Sequence, residues 1–78
     1  MNPLVTAEQI AASTPERITA NVRRLIADGG VSAAEVSRAL GVNRSAVSRR
    51  MNGEYEWRQS ELTTIAVLLG VEGSALTE

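Results

Sequence analysis

The chain has 78 residues and a formal net charge of −1, room for one small domain, here expected as a single unit over residues 1–78. Cysteine and histidine are absent and all eight basic residues are arginine, which excludes disulfides, thiolate and imidazole catalysis, Cys/His metal sites and lysine Schiff bases. At 44% hydrophobic and 22% charged, the composition is that of a folded domain rather than a disordered tail.

In chain order, Thr6-x-x-Gln9 suggests a short leading helix that holds Ile10, within residues 1–13. The first strong start is Ser13-Thr14-Pro15-Glu16. Thr14 suits the cap, Pro15 the first helical position, and Glu16 the positive end of the dipole. Ile18, Val22, Leu25 and Ile26 then fall on one stripe, and Gly29-Gly30 stops it. Ser32-Ala33-Ala34-Glu35 reads as a capping box in which Ser32 and Glu35 serve each other's amides. Val36, Ala39 and Leu40 give that helix its buried side, and Gly41 ends it. Asn43 caps the next helix, Arg44 to about Met51, which buries Ala46, Val47 and Met51 and stops at Asn52-Gly53. A loop through Tyr55, Trp57 and Arg58 leads to the last main helix, with Leu62, Ile65, Ala66 and Leu69 as its stripe, broadened by Val67 and Leu68 and closed by Gly70. The tail, residues 72–78, has one further turn around Ser74-Ala75-Leu76. No run of alternating β-branched residues signals a strand. The sum is an all-α, compact four- to five-helix bundle.

The helices on either side of Gly41 carry the functional signal, because two helices joined by a three-residue, glycine-led turn form a helix-turn-helix, here residues 32–53. Val36, Leu40, Val42 and Val47 form its inner contact, with the small Ser37 where the helices cross. Asn43, Arg44, Ser45, Ser48, Arg49 and Asn52 fall on the opposite side, donors suited to phosphates and base edges. Residues 36–53 hold Arg38, Arg44, Arg49 and Arg50 and no acid, so a chain of −1 overall still has a segment of +4. Acids collect instead toward the ends, at Glu8, Glu16, Glu61, Glu72 and Glu78.

Residues 17–71 resemble the lambda-type repressor/Cro helix-turn-helix family, often called XRE-like. The likeness rests on Gly41-Val42-Asn43, on Val47-Ser48-Arg49-Arg50-Met51-Asn52-Gly53, and on the closing Ile65-Ala66…Leu69-Gly70-Val71. Ser37 stands in place of a more usual alanine. Arg50 stands where many members have a core aliphatic, a role that passes to Met51. The resemblance implies a lambda repressor-like domain whose helix at about 44–52 enters the major groove of double-stranded DNA. It points to Arg44 and Arg49 for base contact, with Ser45 and Ser48 short enough for close approach. For phosphates or caps it points to the amides at Ser32 and Ala33, to Asn43, and to Asn52, Arg50 and Arg58 on the flank. Tyr55, in its loop, is placed to touch a phosphate. A sequence-specific transcriptional regulator follows, most like a phage Cro-type repressor, on a palindromic operator and pairing as a homodimer at least on DNA. The dimer surface would use Val67, Leu68, Val71 and Leu76. The alternative is a protein-binding adaptor on the same fold, antitoxin-like or an inhibitor of a host enzyme, for which the acidic ends argue.

The remaining residues carry plainer expectations. Trp57 is expected to plug the core, since one aromatic makes a poor base-stacking surface. Arg17, Arg23 and Arg24 are expected to solvate the first main helix. Glu54 and Glu56 have no third ligand and no histidine beside them, and the serines have no base to activate them. No enzyme activity, cofactor or metal is expected. No apolar run approaches the ~20 residues of a membrane span and the first residues lack a signal peptide's pattern, so the expected setting is the cytoplasm. Arginine without lysine hints at a GC-rich genome, bacterial or phage.

Overall fold

A computed structural model describes residues 1–78 and contains five α-helices, a closing 3₁₀ turn and no strand. The helices are α1 (Ala7–Ala11), α2 (Pro15–Gly29), α3 (Ala33–Leu40), α4 (Arg44–Met51) and α5 (Gln59–Leu69), followed by the turn Gly73–Leu76. Helix starts are set by side-chain caps. Gln9 N–H donates to Thr6 Oγ1 at 3.1 Å while Thr6 N–H donates to Gln9 Oε1 at 2.9 Å, a full capping box for α1. Thr14 accepts from Arg17 N–H at 3.2 Å ahead of Pro15, and Asn43 accepts from Ala46 N–H at 2.8 Å. Ser32 accepts from Glu35 N–H at 3.1 Å, but the reciprocal bond expected from Glu35 does not form. Ser32 is exposed, so water can serve its own N–H and the second half of the box is unnecessary.

One core holds the helices together. Val5, Ile18, Val22, Ile26, Val36, Val47, Trp57, Leu62, Ile65, Ala66 and Leu76 are buried in a single cluster. In α2 the stripe forms as expected, with Leu25 half-buried at its margin. Two expectations fail at margins. Ala39 is exposed, because the inward face of α3 centres on Val36, Ser37 and Leu40, more than a quarter-turn away at about 100° per residue. Val67 is 61% exposed, for α5 turns Glu61, Leu62, Ile65 and Ala66 inward and leaves Val67 on the far side.

The turn between α3 and α4 is tightly tied. Gly41 adopts φ +70°, a left-handed conformation that side chains with a Cβ resist. Gly41 N–H and Val42 N–H both donate to the Ser37 carbonyl, at 2.9 and 3.2 Å. The Ser37 hydroxyl donates in turn to the Val42 carbonyl. Ser37 is therefore a fastener of the turn, which its small size alone does not suggest.

The two chain termini pack against each other, and the leading segment bonds to α5. Val5 is fully buried, its N–H donating to Thr63 Oγ1 at 3.0 Å and its carbonyl accepting from Gln59 Nε2 at 3.1 Å. Gly73 N–H donates to the Asn2 carbonyl at 2.9 Å, and a Cβ on Gly73 would stand 2.1 Å from the Leu4 carbonyl oxygen. The turn is thus pressed against the leading segment. Leu76 is fully buried there, which removes it from the surface expected to pair two copies. Of that surface Val67 is exposed and Leu68 and Val71 are half-buried. No helix is long and apolar enough to cross a membrane.

Candidate nucleic-acid interface

Helix α4 divides cleanly by residue. Val47 is buried at 1% exposure, while Ala46, Arg50 and Met51 are half-buried around it. Arg44, Ser45, Ser48, Arg49 and, just past the end, Asn52 are all exposed. The two sets fall on opposite sides at 3.6 residues per turn. The outer side is therefore a short ridge of guanidinium, hydroxyl and amide groups, preceded by the exposed cap Asn43.

Arg44 and Arg49 form no ion pair. The Arg49 guanidinium stands over the Tyr55 ring, 5.9 Å from its centroid, in cation–π range. Tyr55 is itself 55% exposed, so the stack steadies Arg49 at the surface without burying its charge. The loop after α4 folds back through Glu54 N–H, which donates to the Arg49 carbonyl at 2.9 Å. That return brings Tyr55 beside the helix it follows.

Arg50 is the residue whose place differs most from the expectation. It was expected to grip the DNA backbone, yet its side chain turns inward to α5. Nε donates to Glu61 Oε1 and Nη2 pairs with Glu61 Oε2, both at 3.0 Å. Nη1 also donates to the Ala46 carbonyl at 3.2 Å. The Arg50 and Glu61 side chains are only 12% and 10% exposed. A guanidinium so occupied is not offered to a phosphate, which corrects the expectation. Arg50 can take this half-buried place, with Met51 beside it, because α5 supplies a carboxylate to meet it. With Arg50 neutralised, three of the four arginines of residues 36–53 remain exposed: Arg38, Arg44 and Arg49.

The flanking candidates lie at helix ends. Ser32 and Ala33 open α3 and are exposed. Asn52 ends α4, and Arg58 stands exposed before α5 with its N–H donating to Glu61 Oε1 at 2.8 Å. Arg23 does more than solvate α2: Nη1 donates to the Met51 carbonyl at 3.3 Å, serving an orphan carbonyl at the end of α4. Arg24 bonds its neighbour Asn21 at 3.3 Å. Trp57 is buried in the core rather than presented to a ligand. The roles of Ser37, Arg23 and Glu61 were missed at the level of sequence. Each acts across a turn or between helices, and no local spacing announces that.

Two short helices joined by the glycine turn, with the second exposing a polar ridge, make this an all-helical domain of the helix-turn-helix class. The family model described as a helix-turn-helix domain matches residues 17–78, and the chain belongs to that family. No curated protein and no solved structure was found to match it. Helix-turn-helix domains bind DNA, place the second helix in the major groove and are typically not enzymes.

Proposed function

We propose that this protein is a sequence-specific transcriptional regulator of the lambda repressor/Cro (XRE-like) type, most like a phage Cro-type repressor, acting in the cytoplasm with residues 1–78 as one DNA-binding unit. The observation that carries the reading is the pair Arg44 and Arg49, exposed on the side of α4 opposite Val47 and free of carboxylates. An unpaired arginine at that place can bond guanine O6 and N7 together, worth ~1–3 kcal/mol of discrimination. Ser45 and Ser48 leave room for the helix to sink into the groove and offer hydroxyls to bases or phosphates. Asn43 divides between its cap and the DNA. The amides at Ser32 and Ala33, with Asn52, Tyr55 and Arg58, hold the backbone on either side. Arg50 is not among them.

On this reading two copies bind a palindromic operator with half-sites one helical turn apart. Val67, the most exposed aliphatic of α5, belongs to the surface that pairs them, with Leu68 and Val71 at its edge. Selection of bound duplexes from a random pool is the test, followed by a salt titration on the selected sequence. Enrichment of a palindrome is expected, with a log–log salt slope near −0.9 per phosphate contacted. A pool with no enriched sequence, and binding no better than that of any protein of net charge −1, overturns the reading in favour of the protein-binding adaptor.

A further inference from the structure

Arg49 and Arg50 are consecutive and chemically identical, yet the fold sends them in opposite directions. Arg49 stays at the surface over Tyr55, and Arg50 enters the space between α4 and α5. The apolar grip on α4 is small: Val47 is its only buried residue, helped by half-buried Ala46 and Met51. Apolar contact resists separation but is non-directional, so so narrow a seam does little to fix how an eight-residue helix is rotated about its axis or tilted. Directional bonds do that: Arg23 of α2 reaches the last carbonyl of α4, and from the side chains of α4 itself Arg50 supplies the others. Arg50 meets Glu61 through two parallel contacts of 3.0 Å and reaches back to the Ala46 carbonyl one turn earlier. Glu61 is fixed in its turn, since Oε1 also accepts from Arg58 N–H at the start of α5. A buried pair of this kind contributes little net stability, because desolvation offsets its Coulomb attraction, whereas its geometry is demanding.

We propose that Arg50 and Glu61 are positioning residues for DNA recognition. They set the rotation and tilt of α4 on α5, and thereby where Arg44 and Arg49 meet the bases, without either touching DNA. The proposal rests on the DNA-binding reading above and assigns it a mechanism of alignment.

The discriminating variant is Glu61→Gln, read on the selected duplex by affinity across a salt series. The amide keeps an acceptor for Arg58 N–H but removes the charge that holds Arg50. A positioning role predicts affinity lower by about tenfold, the scale of one lost charge-assisted hydrogen bond, with an unchanged salt slope. A phosphate-binding Arg50 predicts the reverse: a freed guanidinium, tighter binding, and a slope steeper by about 0.9. That outcome overturns the proposal, as does wild-type affinity in the variant. Because the single change can also loosen the fold, a second variant replaces the pair by apolar residues, Arg50→Met with Glu61→Leu, a kind of exchange that often preserves stability. Its melting temperature should stay near that of the wild type while affinity for the selected duplex falls and the preference at the Arg44 and Arg49 base pairs flattens. Retained affinity and preference would show that the anchor does not matter. A wild-type protein that selects no duplex is a different failure, since it removes the DNA-binding reading before the variants are compared.

Discussion

At the scale of single residues, the sequence Arg49-Arg50 shows why a count of cations is a poor guide to a binding surface. Both look alike to composition and to local charge, yet Arg50 meets the inward-facing Glu61, eleven positions after it, and Arg49 does not. Their alanine variants should therefore fail in different assays. Arg49→Ala is expected to keep the melting temperature within a degree or two and to relax preference at one base pair by ~1–3 kcal/mol, measured by competition among duplexes differing at single positions. Equal loss on all sequences would assign Arg49 to the backbone instead. Arg50→Ala leaves Glu61 buried without a counter-ion and should destabilise the fold by about 3–5 kcal/mol in chemical denaturation. The outward arginines were legible beforehand because helical spacing sets them opposite Val47. The inward one was not, because charge burial depends on a partner brought in from another helix.

At the scale of elements, helix boundaries were the most readable part of the chain. Thr6, Thr14, Ser32 and Asn43 each accept the amide three residues on, as their type and position foretold. Faces were less readable at their edges. Ala39 and Val67 are apolar and adjacent to inward positions, yet exposed, since which flank of a short helix is covered depends on its neighbours' angles. The turn between α3 and α4 makes a measurable claim of its own. No atom lies within 4 Å of a Cβ built on Gly41, so substitution there costs backbone strain alone. Gly41→Val should lower stability by about 1–3 kcal/mol, and Gly41→Asn by less, since asparagine tolerates the left-handed region. Equal melting temperatures for the two would argue against strain. Ser37→Ala removes the hydroxyl bond to Val42 and is expected to cost about 1 kcal/mol, read by the same melts.

At the scale of the whole molecule, the polar ridge of α4 and the closure made by the termini are separate structures joined by one core. The family match begins at residue 17, yet Val5, before it, is as deeply buried as any residue in the protein. A bare hydrophobic residue ahead of a helix start gives no periodicity to read, and so its burial was not foreseen. Val5→Ala should lower stability by about 1–3 kcal/mol through the cavity it leaves, while preference among duplexes stays as in the wild type. A change of preference would mean that the leading segment communicates with α4.

The lone tryptophan gives this arrangement a practical consequence. Trp57 is sealed in the same core that carries α4, and the protein has no second indole to blur its signal. Its emission should shift to longer wavelengths as water enters on unfolding, a built-in optical gauge of the folded fraction. Fluorescence anisotropy of a dye on the duplex reports occupancy in another colour. Both quantities can then be taken from one cuvette, so that a variant which misplaces its arginines is told apart, in a single titration, from one that has merely begun to melt.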